Sequence, residues 1–189
     1  MVRDEQEIRA RRLWNSINAR TTGRVPRTYK HSNNLFESRE AFVEWCKNQE
    51  NFMTKDEKGR YWAIDKDIIM PFNKQYSPER CCFVPPEINM LFRSTEQSSL
   101  MRGVIKNTSC RSRFSAKISI RGKSHLIGIF DTEFEAHQAW QEATISKLRN
   151  VVTENKFNLG QRILDGILAY AMLIQLALNS DIPTTNITS

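Results

Sequence analysis

The sequence predicts an α+β protein: helices and short strands first, then a three-stranded antiparallel sheet packed on one helix, then an apolar C-terminal helix. Three observations carry this reading. Over residues 113–120, Phe114, Ala116, Ile118 and Ile120 alternate with Arg113, Ser115, Lys117 and Ser119, the period of a strand with one covered face. Shortly afterwards Ala136, Ala139, Trp140 and Ala143 recur at helical spacing. Ahead of both, the polar stretch 93–99 interrupts the apolar pattern and marks a linker.

Taken in order, residues 5–19 form an amphipathic helix with Ile8, Leu13, Trp14 and Ile17 on one face. A polar, Arg-rich loop (20–34) follows, and Ser38 then caps a helix running through residue 48, with Phe42, Trp45 and Cys46 inward. Residues 60–69 and 81–84 are strand-like, separated by a turn over 71–79, and a brief helix spans 87–92. Trp14, Trp45 and Trp62 belong to the core, given the area an aromatic buries. Past the linker, strands cover 103–105, 113–120 and 123–130, with a turn at Arg121, Gly122 and Lys123. Thr132 caps the next helix and Glu135 completes a capping box; that helix extends to residue 149. A last apolar helix covers 159–178, and the tail 179–189 is expected to be disordered. The domain boundaries expected are 1–94, 98–152 and 153–189.

Charge is the most informative bulk property. The chain of 189 residues carries a formal +7. From Gln97 to Phe130 there are seven cationic residues and no acid: Arg102, Lys106, Arg111, Arg113, Lys117, Arg121 and Lys123. The remaining residues sum to zero, so the entire excess sits in one segment that also carries strand patterning. Such a segment makes a local field that attracts a polyanion. The N-terminus lacks an apolar secretory core, and the most apolar run, residues 166–178, is too short to span a bilayer; a cytoplasmic protein without a membrane partner is expected. Cys46, Cys81, Cys82 and Cys110 show no C-x-x-C spacing and read as reduced, buried thiols.

Alternation gives the charge a direction. If the apolar set of the middle strand faces the helix, Arg113, Lys117 and Arg121 line the open face, joined by Arg102 and Lys106. A twisted antiparallel ribbon with a basic uncovered face fits the DNA major groove, where Arg reads guanine and Lys or Ser contacts phosphate. The plainer alternative is a solvated face that keeps the protein soluble, although such faces ordinarily mix both signs of charge.

Met101, Arg102, Gly103 and Val104, then Phe114 to Ile118, Leu126 to Thr132, Glu135 with Ala136 and Ala139 with Trp140 resemble the Apetala-type (ethylene-response-factor) DNA-binding domain in order and spacing. The resemblance implies a three-stranded sheet on one helix, docked in the major groove, with Arg102, Lys117 and Arg121 at contact positions. The chain departs from the family at Phe114 and Leu126, where Trp is frequent, which weakens the expected stacking on the sugar-phosphate backbone.

In the N-terminal half, residues 61–67, 73–78, 79–84 and 87–89 resemble a degenerate HNH nuclease motif, a ββα-metal fold. The family places His where Asp65 stands, a ligand at Ile64, Asn at Arg80 and His or Asn at Asn89. Asn89 therefore matches, Asp65 is an acidic substitute, and Ile64 and Arg80 depart. What this implies is a catalytic set of Asp65, Asp67 and Asn89, with Asp65 and Asn89 holding Mg²⁺ or another divalent metal if the site is active. The alternative is that these residues hold a loop, with Asp65 paired to Lys66 or Arg80.

The two resemblances together, from about Leu13 to Leu148, are similar to phage-encoded, homing-type endonucleases that join an HNH domain to an Apetala-type reader. The expected function is a metal-dependent endonuclease that nicks or cuts double-stranded DNA. The alternative is a catalytically inactive sequence-specific DNA-binding protein, a repressor or accessory factor. A homodimer through Leu164, Leu168 and Leu173 of the last helix is compatible with either.

Overall fold

Described residues (4–24, 32–92, 100–107, 113–120 and 123–184) of the computed structural model form five helices and three small sheets, an α+β architecture. The chain divides into two units, Met1–Arg93 and Ser94–Ser189.

In the first unit, the Asp4 carboxylate accepts from the Gln6 N–H at 3.2 Å and opens α1 (Glu5–Thr21). The inward face of α1 differs from the amphipathic expectation: Arg9, Ala10 and Ile17 are buried, whereas Ile8 is 38% exposed. Arg9 goes inside because its charge finds partners there. Its Nη2 donates to the Trp62 carbonyl at 2.6 Å, and its guanidinium lies over the rings of Phe52 at 4.4 Å and Tyr61 at 4.5 Å. Next come β1 (Asn33–Asn34) and α2 (Arg39–Lys47). Ser38 caps α2 as expected, accepting from the Ala41 N–H at 3.0 Å. Phe42 and Cys46 face the core, where Phe36, Phe42, Trp45, Phe52 and Phe83 form an aromatic chain.

The first unit continues with β2 (Ala63–Asp65), β3 (Gln75–Tyr76), β4 (Cys82–Val84) and α3 (Pro86–Phe92). β2 pairs antiparallel with β4, so the order is strand, strand, helix. The strand expected over 60–69 shortens to three residues. Asp65 causes this: its Oδ1 accepts from the N–H groups of Asp67 at 2.7 Å and Ile68 at 2.9 Å and bends the chain out of the ladder. β1 pairs parallel with β3, joining two segments whose sequence reads as loop and turn.

The second unit holds β5 (Val104–Asn107), β6 (Arg113–Ile120) and β7 (Lys123–Phe130), an antiparallel sheet in the order β5-β6-β7. The last two strands begin and end where alternation predicts. A bulge between Ala116 and Lys117 in the pairing leaves Ile127 without a partner on β6. α4 (Glu133–Glu154) lies against the sheet. Its capping box is present: Thr132 accepts from the Glu135 N–H, and Glu135 accepts from the Thr132 N–H, each at 3.1 Å. It runs past the expected end, to Asn155, whose left-handed backbone (φ 37°) closes it.

Val104, Ala116 and Ala136 form the centre of the sheet–helix core, with Met101, Phe114, Ile127 and Phe130 around them. Small residues let the backbones approach. Gly103 has φ +81°, and a Cβ built there would lie 2.0 Å from the Trp140 ring. α5 (Gln161–Asn179) packs on α4, burying Ile163, Ile167, Tyr170 and Ile174. By length and composition it is apolar enough to cross a membrane, and 44% of that stretch is buried within the protein. The tail expected to be disordered is ordered in part. Thr184 is only 2% exposed, its N–H donating to His137 Nε2 at 3.0 Å, while Gln141 donates to the Ile182 carbonyl and to Thr184 Oγ1.

Candidate nucleic-acid interface and acidic loop

Register assigns each strand residue to a face. Val104 opposes Ala116 and Lys106 opposes Phe114, so these four share the face covered by α4. The other face carries Asn107 opposite Arg113, Ile105 opposite Ser115 and Ser115 opposite Ile129. Beyond the bulge Lys117 opposes Leu126 and Ser119 opposes Ser124 on that same open face. No Asp or Glu occurs at any of these paired positions.

Of the five cations expected on the open face, Arg113 and Lys117 lie there. Arg102 does not. Its guanidinium lies over the Trp140 ring at 5.2 Å and donates to the Tyr170 hydroxyl at 2.6 Å, on the helix side of the sheet. An aromatic face and a buried hydroxyl outbid open water for that planar cation. Lys106 is likewise on the helix side by register, exposed beyond the reach of α4, and Lys123 shares that side at the hairpin end opposite Ile120. Arg111 and Arg121 lie outside the described residues.

Arg113 meets Asp131 at 3.0 Å, but the two side chains are 54% and 79% exposed, so the pair is weak and a phosphate can displace the carboxylate. Between the two cations the face is apolar. Ile105 is 49% exposed, Leu126 58% and Ile129 45%, and the two isoleucines flank Ser115 closely enough to leave it 6% exposed. These aliphatic residues are absent from the site the sequence suggests. The bulge hides Leu126 and Ile129, because it shifts the alternation within β7, and Ile105 is hidden because the sequence turns its neighbours Arg102 and Lys106 to the open face.

The acidic loop of the first unit has a different character. Asp65 is buried, and burial first, then the neighbouring Asp67 charge, pushes its carboxyl up to about 6 despite the two N–H donors on it. That moves an ordinary carboxylic acid toward the range of a general base. Asp67 is raised by burial as well, opposed by Lys66, whose ammonium sits 2.6 Å away. Lys66 also donates to the Asn73 carbonyl at 2.8 Å. Asn73 is buried and ties the loop together, donating to the Lys66 and Gln75 carbonyls and accepting from Arg80 at 3.0 Å. Asn89 is half-buried on α3, its N–H bonded to the Pro85 carbonyl at 3.1 Å.

Asp67 is therefore neutralised by Lys66, and Asp65 Oδ1 is filled by backbone donors. Among the described residues no three His, Cys, Asp or Glu side chains converge as metal ligands. The donors as arranged fit a self-fastened loop better than a divalent-cation cradle. Neither Lys66 nor Arg80 pairs with Asp65 through a side-chain contact of the kind expected; the lysine takes Asp67, and the arginine takes Asn73 and Gln75. Cys46, Cys81 and Cys82 are buried thiols outside any disulfide, burial pushing Cys46 and Cys81 up to about 12, and Cys110 lies outside the described residues.

Compared with protein-family models, curated proteins and solved structures, the chain matches none. The functional reading therefore stands on the residues themselves.

Proposed function

We propose that the protein binds double-stranded DNA through the open face of β5-β6-β7, laid in the major groove. The observation that carries this is an uncovered sheet face without acids at its paired positions, bearing Arg113 and Lys117, in a segment that holds the whole excess charge of the chain. Duplex DNA is the polyanion whose major groove admits a β-ribbon of this kind. Arg113 and Lys117 neutralise phosphate, and Ser119 and Ser124 supply hydroxyls beside them.

The salt dependence of duplex affinity tests the reading. Replacing Arg113 and Lys117 together by Gln removes about two phosphate contacts, so the slope of log affinity against log salt flattens by roughly two. An unchanged slope with unchanged affinity removes the sheet from the argument.

One observation favours a second reading, the metal-dependent endonuclease. The first unit has the strand, strand, helix order of a ββα nuclease, with the raised carboxyl of Asp65 at the end of the first strand and Asn89 on the helix. In this reading Asp65 and Asn89 would hold a divalent ion such as Mg²⁺, which would stabilise the leaving oxygen of the phosphodiester, while Asp67 stays paired with Lys66. In the first reading the same loop only props the fold, and the protein is a binder in the host cytoplasm without hydrolytic activity.

A further inference from the structure

The open face is not uniformly cationic, and the arrangement of its apolar part narrows the DNA it suits. Ile105, Ser115 and Ile129 form one row straight across the three strands, with Leu126 in the next row beside Lys117. Arg113 and Lys117 bracket that row along β6, four positions apart. At the rise of a strand this separation is about 13 Å, close to the roughly 12 Å width of the major groove. The row itself spans two inter-strand gaps, about 10 Å, or roughly three base pairs of stacked duplex. Two cations at the width of the groove with an aliphatic row between them put the charges at the phosphate walls and the aliphatic side chains over the base edges. Of the groups displayed on the major-groove floor, only the thymine C5-methyl is apolar; the others are hydrogen-bond donors or acceptors, which an isoleucine would strip of water without replacement.

We propose that Ile105, Leu126 and Ile129 select thymine-containing runs of about three base pairs by packing against thymine methyl groups. This rests on the DNA-binding reading above and gives it a substrate preference. The exposure of the three side chains fits the role: each is 45% to 58% exposed, leaving enough free aliphatic surface to be covered on docking. With Arg113 and Lys117 at the phosphate walls and Arg102 committed to Trp140 and Tyr170, none of these three cations is placed to read guanine.

The test uses the full chain and three duplexes of equal length: an A·T-rich duplex, the same duplex with every thymine replaced by deoxyuridine, and a G·C duplex. Deoxyuridine removes only the methyl and keeps the phosphates and hydrogen-bonding edges. Affinity is expected to fall by at least about fivefold from the thymine to the deoxyuridine duplex, the loss of a few buried methyls, and to be weak on the G·C duplex. In an Ile105→Ser/Leu126→Ser/Ile129→Ser chain the difference between thymine and deoxyuridine disappears while the salt slope stays. Equal affinity for the thymine and deoxyuridine duplexes overturns thymine selection and leaves DNA binding standing. A methyl preference that persists in the triple variant also overturns it, by placing the readout elsewhere. Failure to bind any of the three duplexes overturns the DNA-binding reading and this inference with it. The comparison in the unaltered chain needs no substitution, so misfolding of the variant cannot decide it.

Discussion

Arg9 is a buried cation held by distant partners, so its placement is costly to change. Its guanidinium is enclosed by Phe52, Tyr61 and Phe83 and bonded to the Trp62 carbonyl, while Nη1 is buried with no partner. Burial lowers its pKa, as desolvation of a cation must. Arg9→Ala strips a carbonyl of its donor and empties a space between rings, and is expected to cost about 2–4 kcal/mol in a urea titration. Arg9→Met, which refills the space without a charge to desolvate, is expected to cost less. His137 is the counterpart in the second unit. It is fully buried, with Nδ1 donating to the Arg102 carbonyl at 2.8 Å and Nε2 accepting from Thr184. Burial first, then the Arg102 charge, lowers its pKa below the usual 6.5, against the pull of that carbonyl and Glu133. A folded value below the unfolded one means that the unfolded chain binds the proton more readily. The stability His137 contributes is therefore complete above pH 6.5 and is lost as pH falls from there through the lower folded value. In an NMR titration the His137 ring should titrate below 6.5, with the Thr184 amide shift following the same curve; a midpoint above 6.5 would contradict this.

At the scale of elements, the sheet and α4 meet where side chains are smallest. Gly103 sits over Trp140 with a positive φ, and its carbonyl accepts from the Lys117 N–H at 2.8 Å, tying the turn before β5 to the middle strand. Gly103→Ala drives a methyl into a packed indole and strains the backbone as well, so a loss of about 2–4 kcal/mol is expected in thermal or urea unfolding. A loss below 1 kcal/mol would mean that the close approach is dispensable. α5 offers a narrower surface for self-association than its composition suggests. Leu164 is covered within the unit, Leu168 and Leu173 are half-buried, and the exposed apolar side chains are Met172 at 64% and Leu176 at 61%. If this helix mediates a dimer, those two residues rather than Leu164 form its seam.

For the whole molecule, the question is whether the first unit acts on the DNA that the second is proposed to hold. Incubating the protein with supercoiled plasmid and Mg²⁺ or Mn²⁺ separates the readings. Nicking that vanishes in Asp65→Asn and Asn89→Ala chains, with duplex binding retained, supports the nuclease. Binding without nicking supports the binder, consistent with an acidic loop already satisfied by Lys66 and by its own backbone.

The sequence by itself determined whatever depends on neighbours a few positions away. The period of two in β6, the bounds of β7, the Ser38 cap and the Thr132–Glu135 capping box are local, and each stands where the pattern places it. The concentration of charge in one segment is equally legible from residue order. Tertiary structure decided where the ambivalent side chains go. Arg9 is inward because a carbonyl 53 residues away and three rings receive it, and Arg102 turns from the open face because Tyr170 lies 68 residues on. Asp65 trades a strand for a bend, and one unpaired residue in β7 brings Leu126 and Ile129 onto the open face. A charged or aliphatic side chain carries no local instruction to be covered or bare; which of the two is cheaper depends on partners that folding brings from far along the chain.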